Sequence, residues 1–513
     1  MKQLLLMLCL AFAIKTQGQS TSFSDVVDVK LQNSVTIMNN KDVVGYALLY
    51  KLEKQKKAAL YRLEVLDENL KPIGNNEFEA GKSLEMESAV YESGSIMLAM
   101  RDPSKKAEYN RYSMTFDLKG KQTGTVGYEP EEGKKGMYGA AVAQSMEDFY
   151  NGFANVEGKG FVSVYQNELK TGGAEVRMIG TNGKLKWSKN FTAEKGDRMD
   201  IYLLEATANT VILSQMDRAN IMKKDGEMYI LGLDANSGKQ LYKKSMNFNG
   251  YAYEPYLFKK NAAGETRMVS FLSSEDAKFA SARIIGFNIA TLNDKTGELT
   301  NSKNYLYDTD LNGVLDMKTE SKSEEGFLRI HDLNLMKDGT TVVVGEFFRR
   351  TVSALGAASK ILSAAGGSVG GGAASQMTIG DMFLMRLDKS GKVKTLEKIE
   401  KGKDRIALPA DGISLGLIAR WLAINRYFGY SYTDESNDEG KVTVIAGGDF
   451  EGENYATAAI TFDENKGYKI KKFTSAREKG QKIYIQRGKP GHVLVLKYNN
   501  KKNEISLNLE KMY

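Results

Sequence analysis

Cysteine is almost absent: the single one in 513 residues is Cys9. It lies in a short apolar run, 4–14, that follows Lys2 and precedes Thr16, Gln17 and Gly18. A basic start, an apolar stretch and a small-residue site form the pattern of a secretory signal over 1–18. The small residues that precede a lipidated cysteine are missing at Cys9. Without that segment the chain holds no thiol, which excludes disulfides, cysteine-ligated zinc, iron–sulfur clusters and thiol nucleophiles. Haem is not expected either. An exported chain of this size without disulfides points to the periplasm or outer surface of a Gram-negative bacterium.

Long hydrophobic runs are lacking too, so no transmembrane segment is expected. Neither sign of charge dominates. Lys and Arg number 71 against 64 Asp and Glu, and loss of Lys2 and Lys15 with the signal lowers the net charge from +7 to +5. No block of like charge forms a nucleic-acid tail, and Lys54, Lys56 and Lys57 read as a solvated hairpin edge. Proline occurs six times and histidine twice, at His331 and His492. His331 sits in an alternating strand and reads as a satisfied, partly buried imidazole.

What recurs is a turn. Around Asp67, Asp117, Asn182, Asp234, Asp294, Asp388 and Asp463, an alternating apolar run meets an Asp or Asn, and a second extended run follows. Asx side chains hydrogen-bond the backbone just downstream, and glycine accepts the positive φ that closes a hairpin. Ahead of each hairpin stands another strand, as at 94–100, 209–213, 339–344 and 440–445. The unit is thus four antiparallel strands, with the Asx turn joining third to fourth. Unit ends are expected near Ala80, Glu132, Gly196, Gly250, Asp308, Asp404 and Gly480. Strands after Lys482 and a stray strand at 26–31 would pair to close the last unit. The expectation is an all-β chain with one β-propeller domain over 19–513, of eight blades with seven as the alternative count. Insertions are expected at 351–380 and 405–429.

The segments Leu231 to Lys239 and Gly180 to Trp187 carry a strand, an Asx, a glycine and, once, a Trp. They resemble the quinoprotein-type propeller repeat, and Asp294-Lys295-Thr296-Gly297 is similar. The whole chain also resembles exported propeller-like families of unknown function from Gram-negative bacteria. Those resemblances imply a fold and a compartment, and no activity. A quinoprotein dehydrogenase would need stacking tryptophans, and Trp187 and Trp421 are the only two.

One loop has metal-ligand spacing. Asp308, Asp310 and Asn312 stand at positions one, three and five, Gly313 at six, Val314 offers its carbonyl and Asp316 stands at nine, matching an EF-hand-type calcium loop. The bidentate Glu of position twelve is replaced by Thr319, so any calcium site is weak. The competing reading is an Asx-rich turn between blades. No catalytic set stands out: no Gly-x-Ser-x-Gly elbow is present, and Gly366 to Gly372 lacks the lysine of a phosphate loop.

The insertions are less ordinary. Residues 351–380 carry one charge, Lys360, and 353–365 reads as a helix. Residues 414–429 place Leu417, Ile418, Trp421, Leu422 and Phe428 at helical spacing, with Gly429 as the stop. In a meander both insertions and the Asp308 loop fall on one face. The expected function is therefore a non-enzymatic binding or scaffolding propeller presenting that face, through Trp421, Leu417, Phe428, Leu355 and Ile361, to a protein or glycan of the cell envelope. The alternative is a calcium-dependent secreted enzyme acting on glycans or, behind it, a quinoprotein-type dehydrogenase.

Overall fold

The computed structural model describes residues 19–512, apart from 30–33, 40–41, 55–57, 103–108, 129–151, 167–171, 194–197, 219–225, 261–263, 276–282, 312–324, 337, 353–374, 408–414, 435–440, 449, 451–455, 464–466 and 474–480. The fold is all-β, an eight-bladed β-propeller, and each blade is an antiparallel sheet of four or five strands. The chain divides into two compact units, Met1–Gly127 with Ser475–Tyr513, and Tyr128–Thr474.

The first unit holds three sheets. One is the meander Ser34–Asn39, Asp42–Lys54, Ala58–Asp67 and Pro72–Gly81; the next runs from Glu85–Glu92 to Gln122–Tyr128. The third joins both ends of the chain: Gln481–Arg487, His492–Asn499 and Glu504–Lys511 are completed by Ser20–Phe23, with Ser20 opposite Asn508 and Phe23 opposite Ile505. Closure by terminal strands therefore holds, but the strand is not the expected one. Of 26–31, Lys30 and Leu31 lie outside the described residues; Val26 donates to Asn503 and Asp28 bridges Lys51. That segment is a connector because its amides are spent on two different places, Val26 on the turn residue Asn503 and Val27 on Lys51 of the strand Asp42–Lys54.

The second unit holds five sheets, opening with Gly152–Val156, Arg198–Ala206, Asn247–Phe248, Glu325–Leu335 and Tyr430–Asp434. Their middle strands are buried on both faces, as in Thr210–Arg218 and Gly286–Leu292, whereas last strands such as Leu185–Phe191 alternate between exposed and covered. Middle strands pack between neighbouring sheets, and each fully buried side chain such as Phe287 contributes about 1.5–3 kcal/mol. The strands Thr341–Val352 and Ser375–Leu387 run further than expected, so the 351–380 insertion shrinks to 353–374, outside the described residues. Asp404–Ala407 adds a further strand by pairing with the Gln376–Ile379 stretch.

Where they are described, the Asx turns form as the sequence implies; the turn after Asp463, residues 464–466, lies outside the described residues. Asp117 Oδ1 accepts the amides of Lys119 and Lys121 at 2.9 Å, and Gly120 takes φ +81°. At Asp67 the left-handed place falls to Leu70 instead of a glycine. At Asp294 the expected residue is displaced by one: Asn293 Oδ1 accepts Lys295 and Thr296, while Asp294 receives the hydroxyl of Thr207 at 2.8 Å.

Candidate functional site

The insertion in the five-sheet unit carries a helix, Leu415–Ile424. Leu415, Ile418, Ala419 and Leu422 are spaced three and four apart, so they share one face, and that face is buried. The helix ends earlier than Gly429. Arg426 adopts φ +56°, Arg426 N–H donates to Ala423 O and Tyr427 N–H to Leu422 O, a Schellman cap without glycine.

Beyond the cap the chain is fixed by one carboxylate. Glu346 is fully buried in the strand Thr341–Val352 and accepts the amides of Gly429 at 3.1 Å and Tyr430 at 2.6 Å. Lys401 Nζ lies 3.0 Å from one of its oxygens and His331 Nε2 3.3 Å from the other. Burial pushes Glu346 upward, but Lys401, His331 and the Tyr430 amide outweigh it and hold the acid to about 2. His331 stacks on Tyr430 at 4.8 Å and meets Phe428 edge-on at 4.9 Å. Burial lowers its basicity despite the carboxylate, so the imidazole is neutral at pH 7. This cluster is an anchor, since every charged member faces another member.

A second cluster shares Phe428 with the first. Arg329 sits with its guanidinium carbon 4.9 Å from the Tyr256 ring centre and 5.6 Å from that of Phe428. It is 9% exposed, and its Nε and Nη1 have no hydrogen-bond partner among the described residues. Burial draws its pKa down to about 10, which leaves it charged. Arg420, from the helix, lies 4.6 Å over the Tyr202 ring and donates to Leu203 O at 3.2 Å.

Glu254 completes this cluster. Its carboxylate packs so tightly against Gly416 that any side chain at 416 would occupy the same space. It borders a small cavity of about 50 Å³ shared with Tyr253, Phe271, Leu415 and Gly416. Burial raises Glu254 to about 8 against the pull of Arg329. On the strand Arg198–Ala206, burial likewise lifts Glu205 to about 7, against the Ala206 amide and Lys260. Carboxyls poised near neutrality exchange protons readily at physiological pH.

The residues singled out from sequence are scattered. Trp421 is half-buried and meets Tyr427 with the rings tilted by 46° and their centres 5.2 Å apart, and Tyr427 is 40% exposed. Phe428 is 5% exposed and belongs to the core. Leu417 lies on the helix; Leu355 and Ile361 lie outside the described residues. Asp308 and Asp310 are exposed in a turn, where Asp310 Oδ2 already accepts the Leu306 amide at 2.9 Å. Asn312, Val314 and Asp316 lie outside the described residues, and among those described no three His, Cys, Asp or Glu gather for a metal. No described helix is long and apolar enough to cross a membrane. Sequence reading missed Glu346, Lys401, Arg329 and Glu254, which no common spacing links. The one visible signal was a lone acid, Glu346, in the apolar run from Val342 to Phe348.

A family model described as "Family of unknown function (DUF6770)" matches residues 1–513. No curated protein matches the sequence. Among solved structures, the quinohemoprotein alcohol dehydrogenase from Comamonas testosteroni is 10% identical, with 97% of this chain and 77% of that chain covered at a TM-score of 0.41. A PL25 ulvan lyase is 9% identical over 83% of this chain and 91% of that one, TM-score 0.39. A eukaryotic initiation factor is 9% identical over 96% and 97%, TM-score 0.37. None of them passes an activity, a cofactor or a site residue to this chain.

Proposed function

The chain belongs to the DUF6770 family of unknown function, and from that premise we propose an exported, non-enzymatic binding or scaffolding propeller. Its working surface is the helix Leu415–Ile424 and the aromatic pair beyond its cap. The observation that carries this reading is the fixing of Trp421 and Tyr427. The Schellman cap at Arg426 and the Glu346 bonds to Gly429 and Tyr430 hold the segment on both sides of the pair. A rigid aromatic pair at the surface loses little entropy on binding, and Trp and Tyr are the commonest energetic anchors of interfaces. The partner class is a glycan or protein of the cell envelope, as the signal-like N-terminus implies.

The test is capture from an envelope extract and binding to an envelope glycan panel, with wild type and Tyr427→Ala. Tyr427 is the more exposed ring, so its truncation leaves the fold intact. A loss of at least tenfold in affinity at an unchanged melting temperature is expected. Equal capture by both proteins would reject this surface.

A further inference from the structure

Hydrogen-bond acceptors without donors meet in the cavity beside the first turn of the helix. The strand Tyr251–Lys260 pairs Ala252 with Ser273 and Glu254 with Phe271. Side chains two residues apart point the same way, so Glu254 and Ser273 share one face of that sheet. Both border the cavity of about 50 Å³, together with Asn247 and Glu275, and no lysine or arginine lines it. Among the described residues Glu254 makes no hydrogen bond or ion pair, and neither does the side chain of Asn247 or Ser273. Glu275 gives Oε2 to the Gly250 amide at 2.9 Å, which leaves its other oxygen over. It is exposed, so the cavity opens to solvent on that side.

Gly416 is what seats the carboxyl there, since a Cβ at 416 would take the place of the Glu254 carboxyl group. A carboxyl withdrawn from bulk water without a donor is costly, and a ligand that brings donors relieves the cost. An ammonium brings three N–H donors and no acceptor. Because one water needs roughly 10–15 Å³, the cavity has room for about four non-hydrogen atoms, an ammonium nitrogen and the first carbons of its chain.

We infer that this cavity binds the end of a primary alkylammonium, which donates to Glu254 and to the oxygens of Ser273, Asn247 and Glu275. Met228, Phe271 and Leu415 offer carbon surface to the alkyl chain. Burial raises Glu254 to about 8, so the bound cation gains its full partner only as that carboxyl ionises. The charged and titratable groups around it are Arg329 on Glu325–Leu335, Tyr202 on Arg198–Ala206, Tyr253 on its own strand, Glu275 and, acting on Arg329 and Tyr202, Arg420 of the helix. Burial keeps both tyrosines protonated, and Arg329, at about 10, stays charged, so between pH 6.5 and 8.5 affinity follows Glu254. The cavity adjoins the first turn of the helix, whereas Tyr427 lies beyond the last, so this site does not rest on the aromatic pair.

Titration calorimetry of the full chain with propylammonium, the lysine side chain of acetyl-lysine amide, and tetramethylammonium, at pH 6.5 and pH 8.5, tests the assignment. Both primary ammonium probes stay charged over that range, as lysine does. Saturable binding of at least one of them at pH 8.5, weaker by at least tenfold at pH 6.5, is expected, with none of tetramethylammonium, which has no N–H to donate. The tighter of the two tells a free amine from a peptide lysine as the source. G416A should fold, because alanine is the better helix former, and should lose at least tenfold in affinity as its methyl displaces the Glu254 carboxyl. E254Q should lose as much, and Y427A should bind like wild type. No saturable binding of either primary ammonium by folded wild type at pH 8.5 overturns the site, as does affinity unchanged in folded E254Q or G416A. Tetramethylammonium bound as tightly as propylammonium would overturn the ammonium assignment, and equal affinity at both pH values would remove Glu254 from the site.

Discussion

The indole ring of Trp187 fills the space in which a side chain at Gly238 would lie, 2.8 Å from the position of its Cβ. Trp187 Nε1 donates to Ala235 O at 3.0 Å, so one sheet's last strand is pinned to the next sheet's third-to-fourth turn. The relation repeats with different chemistry. Tyr242 lies against Gly297, and Tyr305 donates to Gly391 O at 2.7 Å. These glycines serve two ends at once, the positive φ of the turn and the close approach of the neighbouring ring.

Substitution separates the two ends. Gly94 has φ +81° with nothing within 4 Å of a Cβ, so Gly94→Ala should cost about 1–2 kcal/mol of left-handed strain. Gly238→Ala adds displacement of Trp187 and should cost roughly 2–5 kcal/mol. Denaturant midpoints at an unchanged slope measure the difference. Equal costs would show that the Trp187 contact is not a close-packed one.

Turn chemistry is local, and so the blades were legible: an Asx that bonds its own backbone at Asp117 or Asp388 needs no distant partner. The ring-on-glycine docking was only half legible. Trp187 and Tyr242 each follow a turn glycine by four residues, but Tyr305 follows Gly297 by eight. The terminal pairing was anticipated but placed at 26–31 instead of Ser20–Phe23, because Val26 and Val29 are apolar for core reasons. The Glu346 and Arg329 clusters were invisible, since they join residues from Glu254 to Tyr430 through packing alone.

Removal of residues 19–23 takes the edge partner from Glu504–Lys511 and the Phe23 ring from Tyr50, 5.8 Å away. An unpaired edge recruits other strands. A chain starting at residue 24 should therefore melt earlier and scatter light in a concentration-dependent way, while full-length protein stays monodisperse. Identical melting and scattering would show the four-residue pairing to be dispensable.

Calcium at Asp308, Asp310, Asn312, Val314 and Asp316 remains a proposal, and it must displace the bond from the Leu306 amide to Asp310. With a dissociation constant of ~0.1 mM, millimolar calcium would stabilise the fold by about 1.4 kcal/mol. Calorimetric titration should give one weak site that D310A removes. No saturable heat, or heat unchanged in D310A, rejects it.

The two clusters tilt stability in opposite directions with pH. Glu346 is held to about 2, below its ordinary 4.5, by Lys401, His331 and the Tyr430 amide against its burial. Its contribution is complete above about pH 4.5 and is lost as pH falls towards 2. Glu254 is raised to about 8, so the folded chain holds a proton that the unfolded one sheds; that contribution is full below 4.5 and is lost as pH rises to 8. Lys401→Met strips Glu346 of its strongest cation, and breaking such a buried pair costs about 3–5 kcal/mol. It should also start acid unfolding at a higher pH, because the carboxyl then protonates sooner. Glu254→Gln should leave the acid limb alone and flatten the alkaline one. Thermal melts from pH 3 to pH 9 on the three proteins decide it: acid limbs that coincide in wild type and K401M would remove Glu346 from the account of how the helix segment is held.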